Sequence, residues 1–269
     1  MAVERERPLV LVHGAAGASW RDFAPLTPFL EAQREVVVLR TPGHYEAPSL
    51  PPGADLKLDA FGDRLVAELD KRGLERPDIV GDSTGGLLAI ELGRRGRARA
   101  VVAISPAGMW TEEEARKVER NLKWAYGLSR RVLPLGVFLA RSSGGRYLIF
   151  SPLLGTRGAK LEGEDAAHVL RALAESRLTP EFIEANKDER GVLATMTDAK
   201  EVLCPVLVIW GERDRLLPVE QGRRWKEALP EAELQELSGV GHHPQFDEPE
   251  QIAELILEFF GRPHDQPAA

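Results

Sequence analysis

The sequence is poor in cysteine and has no long apolar run. Its 269 residues include one cysteine, Cys204, which excludes an intramolecular disulfide. Cys204 precedes Pro205 at the start of an apolar run, so we expect a small, buried side chain there. No apolar stretch approaches the ~20 residues of a membrane span, and the first residues lack the apolar core of a signal peptide. We therefore expect a soluble, cytoplasmic protein with no membrane partner.

A surplus of positive charge is also missing. Lys and Arg number 35 against 42 Asp and Glu, which gives a net charge of −7. The densest basic cluster, Arg94–Arg99, falls where a predicted helix ends, and cations there complement the helix dipole. We therefore expect no nucleic-acid partner. The sequence does not predict an oligomeric state.

Short apolar runs alternate with helical patterns in residues 1–108 and 202–269. The runs are typical of strands buried on both faces of a parallel sheet. They lie at 8–14, 35–40, 100–105 and 206–211, with another that begins at 78 and ends at the Gly-x-Ser-x-Gly motif, and a more polar strand near 233–237. After the first run we expect a helix from Trp20 to Ala32. The alternation predicts an α/β fold with a doubly wound, mainly parallel sheet, in which chemistry lies at the carboxyl ends of the strands.

Residues 109–201 interrupt this alternation and have a helical pattern. Thr111 and Glu114 form a capping box, and Thr179-Pro180 predicts the start of another helix. An insertion that follows the carboxyl end of a strand would lie over the site. We therefore predict a core formed by residues 1–108 and 202–269, with a helical cap, or lid, at 109–201.

A Gly-x-Ser-x-Gly motif, Gly81-Asp82-Ser83-Thr84-Gly85, lies between a buried run and a helical pattern. The two glycines permit a sharp turn in which a Cβ would collide with a neighbouring strand or helix. The turn would present the Ser83 hydroxyl at a helix N-terminus, where backbone N–H groups favour negative charge. By itself the motif fits an ordinary strand-to-helix turn as well as it fits a nucleophile.

Two further strand ends carry partners for a serine nucleophile. Asp214 follows the run at 206–211, and His242 follows the last strand. The chain order Ser, Asp, His is that of the nucleophile-elbow hydrolases. His242 would take the proton of Ser83, and Asp214 would hold the imidazole in the required tautomer. The sequence therefore predicts a catalytic triad of Ser83, Asp214 and His242.

His243 is an alternative base to His242, and the two could instead bind a metal. The residue directly after Gly241 matches the pattern, which favours His242 as the base. Metal binding would need an acidic or cysteine partner at ligand spacing, and the sequence places none there. We predict neither a metal nor a cofactor.

The oxyanion formed during attack would be held by backbone N–H groups. Thr84, the residue after the nucleophile, would supply one of them. Ala15, in the small-residue loop after the first run, would supply the other. Both groups belong to the main chain, so side-chain substitutions do not remove them.

Together these motifs resemble the α/β-hydrolase family, and the resemblance covers nearly the whole chain. The matching segments are His13-Gly14, Pro42-Gly43-His44, Gly81-Asp82-Ser83-Thr84-Gly85-Gly86, Gly211-x-x-Asp214 and Gly241-His242-x-Pro244-x-x-Asp247-x-Pro249. The resemblance implies a Ser–His–Asp hydrolase with a helical lid after the strand that ends near Ser105. A serine nucleophile argues against the haloalkane dehalogenases and epoxide hydrolases of this fold, which use aspartate.

Three features depart from the family's usual pattern. The sequence leaves little room for an N-terminal β-hairpin before Pro8, so we expect a trimmed sheet. Asp82 stands where many relatives carry histidine, and Tyr45 where many carry glycine. The Asp82 carboxylate could disfavour anionic substrates or could hydrogen-bond locally, and we favour the second interpretation.

The predicted lid is rich in aromatic side chains, and we expect Trp110, Trp124, Phe138 and Tyr147 to line an apolar pocket. The expected function is a serine carboxylesterase that acts on small to medium apolar esters. The same triad could instead serve a C–C bond hydrolase, a lactonase or a cofactor-free haloperoxidase or perhydrolase. A non-catalytic or slow ligand-binding receptor is the alternative of another class.

Overall fold

The computed structural model describes residues 7–14, 19–185, 196 and 198–263. At its centre six parallel strands form one sheet in the order β2-β1-β3-β4-β5-β6. The strands are β1 (Leu9–Val12), β2 (Val36–Leu39), β3 (Asp78–Asp82), β4 (Val101–Ile104), β5 (Val206–Gly211) and β6 (Glu233–Leu237). The helices are α1 (Thr27–Glu31), α2 (Leu58–Lys71), α3 (Thr84–Arg94), α4 (Glu112–Ala140), α5 (Ser143–Leu154), α6 (Gly163–Glu175), α7 (Leu178–Ala185), α8 (Glu220–Ala228) and α9 (Pro249–Gly261).

The apolar runs of the sequence form the buried centre of the sheet. Every residue of β1, β3, β4 and β5 is buried, whereas the edge strands β2 and β6 are partly exposed. The predicted doubly wound, parallel sheet is therefore confirmed. Among the described residues no strand precedes β1.

Helices cover both faces of the sheet, because successive strand residues point to opposite sides. Val80 belongs to an apolar cluster with Phe259 of α9 on one face. Its neighbour Ile79 belongs to a second cluster with Trp225 of α8 on the other face. The loops that follow β1, β3, β5 and β6 lie at the carboxyl edge of the sheet, between these two cores.

Helices α4 to α7 follow β4 and precede β5 in the chain. Helices α4, α5 and α6 share a small apolar cluster that includes Phe150 and Leu161 and that also contains Phe246, from the loop after β6. Leu178 and Phe182 of α7 belong instead to the cluster that contains Ile79. Helix α4 is kinked at Val132, two residues before Pro134, which lacks a backbone N–H for the helical ladder. In the described part of the chain, neither α4 with its 29 residues nor another helix combines the length and apolarity of a membrane span.

The prediction of a single helix from Trp20 to Ala32 is wrong. The structure has a 3₁₀ turn at Trp20–Phe23 and then the short helix α1. Ser19 and Asp22 form a reciprocal capping box that tightens the first turn. Pro28 lies in the first turn of α1, where its missing N–H costs nothing, so the chain starts a new helix there.

Candidate active site

The three predicted triad residues meet at the carboxyl edge of the sheet. Ser83 follows β3 directly, Asp214 follows β5, and His242 lies in the loop after β6. Nε2 of His242 lies 3.0 Å from Oγ of Ser83, and Nδ1 of His242 lies 2.7 Å from Oδ2 of Asp214. The side chains of His242 and Asp214 are 1% and 0% exposed. One unbroken hydrogen-bonded line therefore runs from a buried carboxylate to a serine hydroxyl.

Ser83 sits on a sharp turn between β3 and α3. Its backbone has φ 57° and ψ −119°, which is strained for a residue with a side chain. A Cβ on Gly81 would lie 2.1 Å from the carbonyl oxygen of Gly85, and a Cβ on Gly85 would lie 2.0 Å from that of Val12. Glycine at both positions lets α3 start directly against β1 and β3, which holds Ser83 in this conformation.

Asp214 is itself fixed by the main chain. Its Oδ1 accepts hydrogen bonds from the backbone N–H groups of Leu216 and Leu217, at 2.9 and 2.8 Å. Its other oxygen is left for Nδ1 of His242. With Nδ1 donating to this carboxylate, Nε2 of the imidazole is free to accept the proton of Ser83.

One of the two predicted oxyanion donors can be placed. Thr84 is the first residue of α3, so its backbone N–H has no acceptor within the helix. It lies directly beside the Ser83 hydroxyl in the chain and at the positive end of the helix dipole. Ala15, the other predicted donor, lies outside the described residues.

His13 holds the end of β1 against the loop after β2. Its Nε2 accepts a hydrogen bond from the backbone N–H of Thr41, at 3.1 Å, and its Nδ1 lies 2.9 Å from the carbonyl oxygen of Gly14. Burial, with a smaller effect of the neighbouring His44, lowers the pKa of His13 to about 3. A neutral imidazole with both nitrogens in use positions this loop and does not act as a base.

The loop that carries His242 is tied to the segment after α5. The backbone N–H of His242 donates to the carbonyl oxygen of Leu154, at 2.8 Å. A Cβ on Gly241 would lie 2.3 Å from the backbone of Gly155 and Thr156. The buried carboxylate of Asp247 accepts the backbone N–H groups of residues 157 and 159. Helix α5 and the histidine loop therefore hold each other in place.

A cavity of about 320 Å³ opens over Ser83 and His242. Its wall is mostly leucine, isoleucine, valine and phenylalanine from α4, α5 and α6. Of the four aromatic residues predicted to line it, Trp124 does. Phe138 and Tyr147 are exposed outside it, and Trp110 packs against the core, which corrects the prediction for these three. The aromatic side chains of residues 109–201 therefore lie on the solvent-exposed surface as well as in the cavity wall.

Sequence reasoning missed a second charged cluster beside the triad, formed by Asp22, Asp82 and His243. Nδ1 of His243 lies 2.8 Å from Oδ2 of Asp82, and the two side chains form an ion pair. Asp82 is fully buried and Asp22 is 1% exposed. Oδ2 of Asp22 accepts the backbone N–H of Ser19, while its Oδ1 has no hydrogen-bond partner among the residues that the structure describes. Asp22 and His243 both line the cavity that contains Ser83.

The charges of this second cluster depend on one another. Burial would lower the pKa of His243, but Asp82, with smaller contributions from Asp22 and Asp214, raises it to about 9. Burial raises the pKa of Asp22 to about 7, an effect that His243 opposes and Asp82 reinforces. At neutral pH a cationic His243 therefore pairs with the Asp82 carboxylate, while Asp22 titrates. The signals in the sequence were Asp82, a departure from the family's pattern, and the second histidine, His243, beside His242.

Residues suited to metal binding do not converge here. In the described ranges no three His, Cys, Asp or Glu side chains group as metal ligands would. Cys204 lies away from the cavity and packs against the core, and burial raises the pKa of its thiol to about 12. The groups available for chemistry in the cavity are therefore the Ser83 hydroxyl, the His242 imidazole and the second charged cluster.

A parallel sheet, a strained serine at a strand-to-helix turn and a histidine–aspartate pair define a hydrolase of the nucleophile-elbow class. The model of the α/β hydrolase family matches residues 9–255. The chain belongs to this family and is a hydrolase, as its resemblance to the family implied.

Individual relatives differ in the reactions that their names describe. The chain is 33% identical over 203 residues to the epoxide hydrolase EphH of Mycobacterium tuberculosis, covering 74% of this chain and 92% of that protein. It is 26% identical over 267 residues to a 2-hydroxy-6-oxononadienedioate/2-hydroxy-6-oxononatrienedioate hydrolase of Pseudomonas putida, covering 95% and 88%. A solved meta-cleavage product hydrolase from Pseudomonas fluorescens superposes with a TM-score of 0.74 at 21% identity, covering 96% and 91% of the two chains.

Replacing Gly85 with alanine tests the turn. The new Cβ would meet the Val12 carbonyl of β1, which cannot move without breaking its pairing with β3. We expect the free energy of unfolding to fall by at least about 3 kcal/mol, or the protein not to fold. Gly261→Ala, where nothing lies near the added Cβ, should change stability by less than about 0.5 kcal/mol. Equal stability of the two variants in urea unfolding would contradict the close approach.

Replacing Asp82 with asparagine tests the ion pair with His243. A histidine whose pKa is raised on folding contributes stability that is complete below its unfolded pKa and is lost as the pH rises through about 9. In wild type the free energy of unfolding should therefore fall between pH 7 and pH 10. In Asp82→Asn we expect the free energy of unfolding to be lower than in wild type by about 3 kcal/mol at pH 7. It should also fall much less than in wild type between pH 7 and pH 10, because the titrating ion pair is absent.

A matched control lies on the same strand. Asp78 is fully buried and pairs with Arg99 and Arg34, with N–O distances of 2.6 and 2.8 Å. Arginine does not titrate in this interval. Asp78→Asn should therefore lower stability by a similar amount at every pH from 7 to 10. If Asp82→Asn showed the same constant offset, His243 would not be the titrating partner.

Proposed function

We propose that this hydrolase cleaves carboxylic esters of small to medium apolar substrates through an acyl-enzyme on Ser83. One observation carries the proposal: the line from Asp214 through His242 to Ser83, with contacts of 2.7 and 3.0 Å, ends in a largely apolar cavity. This line supplies a base for the hydroxyl, and the cavity supplies a surface for an apolar acyl or alcohol group.

The reaction would follow from this geometry in two halves. Nε2 of His242 takes the proton as Oγ of Ser83 attacks the ester carbonyl, and Asp214 stabilises the imidazolium. The oxyanion lies against the N–H of Thr84 and, in our proposal, that of Ala15. Collapse of the intermediate transfers the proton to the leaving alcohol. A water molecule, deprotonated by His242, then attacks the acyl-enzyme and releases the acid and Ser83.

Residues 109–201 would serve as the cap of this site, with 1–108 and 202–269 as the catalytic core. Helices α4, α5 and α6 supply most of the cavity wall, whereas Ser83 and His242 come from sheet loops. The cavity of about 320 Å³ fits a small to medium substrate. The cap would then select the substrate, and the core would perform the chemistry.

The serine distinguishes this proposal from epoxide hydrolysis, the reaction named for one relative. Attack of a serine oxygen on an epoxide would give an ether, which has no carbonyl for the second half of the reaction. Attack on an ester carbonyl gives an acyl-enzyme that water can cleave. Ser83 therefore supports carbonyl substrates.

Hydrolysis of a C–C bond is the second candidate. The relative from Pseudomonas putida, similar over 95% of this chain, has a name that describes hydrolysis of an oxo-dienedioate. The cavity also has one polar corner, formed by His243 and by Oδ1 of Asp22, which lacks a partner in the described part of the chain. Such a corner would hold a second oxygen atom of the substrate beside the scissile carbonyl, which suits a diketone-like substrate better than a simple ester.

Hydrolysis of a short p-nitrophenyl ester tests the leading proposal. We expect wild type to be active and Ser83→Ala to lose at least about 10⁴-fold in kcat/KM, because the nucleophile is gone. Ser238→Ala, at an exposed serine that bonds to Glu212, should retain wild-type activity. Near-normal activity of Ser83→Ala would reject the assignment of the nucleophile.

Two further assays separate the alternatives. A vinylogous 1,5-diketone cleaved with a higher kcat/KM than the ester would make C–C hydrolysis the main reaction. A fluorophosphonate probe should label wild type and not Ser83→Ala. Absence of labelling in folded wild type, together with inactivity on both substrates, would favour a ligand-binding protein instead of an enzyme.

A further inference from the structure

The helices α4 and α5 expose an unusual share of apolar surface. Nine large apolar side chains are exposed in the described part of the chain, and seven of them lie on these two helices. The most exposed are Leu148, Phe138 and Trp124, at 65%, 63% and 62%. Scattered exposed apolar residues are ordinary, but a group on neighbouring helices marks a surface for interaction.

Most of these exposed side chains lie along α4, and Leu148 lies on the neighbouring helix α5. Trp124 and Leu128 are one helical turn apart, and Leu135 and Phe138 are again one turn apart beyond the kink at Val132. Residues three or four positions apart share a helix face. We refer to Trp124, Leu128, Leu135, Phe138 and Leu148 as the apolar rim.

The apolar rim is continuous with the cavity over Ser83. Trp124, Leu128, Leu135 and Leu148 are exposed and also line the cavity. Side chains that face both solvent and the cavity border its opening. The cavity therefore opens through an apolar surface, and whatever covers the apolar rim also lies next to the entrance.

Positive charge surrounds the apolar rim. Beyond the acidic first turn of α4, residues 115–160 contain ten Lys or Arg and one acidic residue, a net charge of +9, while the rest of the chain carries −16. Among these cations Lys117, Arg120, Arg131 and Arg141 are exposed, and none forms an ion pair with the described residues. Helix spacing places Lys117, Arg120 and Arg131 on the side of α4 that carries Trp124.

We propose that this face of α4 and α5 binds the surface of an anionic lipid bilayer, with the cavity entrance toward the lipid. Helices that lie in a bilayer interface combine an exposed apolar row with flanking Lys and Arg. The cations would pair with anionic head groups, and the apolar rim would enter the acyl boundary. The sequence-based expectation of no membrane partner rested on the absence of a membrane-spanning apolar run, which does not test for a surface-bound helix.

Charge argues for lipid over a second copy of the chain. A symmetric dimer through this face would bring the exposed cations Lys117, Arg120 and Arg131 of two copies toward each other, which is unfavourable. An anionic bilayer supplies the complementary charge and an apolar layer at once. The binding does not depend on which bond the site cleaves.

Sedimentation with vesicles tests the proposal. We expect full-length protein to bind vesicles of phosphatidylcholine mixed equally with phosphatidylglycerol, to bind pure phosphatidylcholine far less, and to lose binding at high salt. Arg120→Glu combined with Arg131→Glu should weaken the partition coefficient at least about 30-fold, which corresponds to about 1 kcal/mol for each cation. Phe138→Ser should also weaken binding, because it removes an apolar group from the interface.

The control keeps the same change in net charge at the other edge of the sheet. Lys71→Glu combined with Arg76→Glu alters exposed cations at the end of α2 and before β3. This variant should bind the vesicles like wild type. Equal weakening by both double variants, or no binding of wild type to the anionic vesicles, would overturn the proposal. A dimer in solution that Phe138→Ser dissociates, without vesicle binding, would instead make this face a self-interface.

Activity and binding are measured separately, so failure of one does not mimic failure of the other. Arg120, Arg131 and Phe138 do not line the cavity, so their variants should hydrolyse a short soluble ester as wild type does. Ser83→Ala should bind vesicles normally. Loss of ester hydrolysis in Arg120→Glu/Arg131→Glu with unchanged vesicle binding would place these arginines in the catalytic site and contradict the surface role.

Discussion

The close approach of α3 to β1 and β3 is the constraint on which the site depends. No side chain separates Gly85 from the Val12 carbonyl, or Gly81 from the carbonyl of Gly85. The helix can therefore begin directly at the strand end, and Ser83 is forced to positive φ at its N-terminus. The same contact places the Thr84 N–H beside the hydroxyl, so the proposed nucleophile and the proposed oxyanion donor both take their positions from this close approach.

A second close approach links the helices that line the cavity to His242, the proposed base. Gly241, just before His242, leaves no room for a Cβ against Gly155 and Thr156, the segment that ends α5. Since His242 also donates its backbone N–H to Leu154, the imidazole takes its position from the sheet and from the helical insertion together. Movement of α5 would therefore displace His242, which couples the shape of the cavity to the geometry of proton transfer.

The sequence was informative where local patterns determine structure. Continuous apolar runs predicted the buried strands, and turn residues after them placed Ser83, Asp214 and His242 at one edge. The sequence was uninformative where a side chain's role depends on packing between distant segments. Trp124 faces the cavity and Phe138 does not, although both occur in one amphipathic helix, because the kink at Val132 and the packing of α6 set their directions.

The residues at positions 82 and 243 must be understood together. A carboxylate at position 82 is fully buried at the end of β3, so it is tolerable only beside a compensating charge. His243 provides that charge, and its pKa is raised in return. Because His243 is the chain neighbour of His242, the ion pair also holds the imidazole loop against the strand that carries Ser83. A histidine at position 82 would remove the carboxylate that raises the pKa of His243, so burial would favour a neutral His243 and the ion pair would be lost. The departure from the family pattern at Asp82 is therefore half of a matched pair, whose other half, His243, lines the cavity.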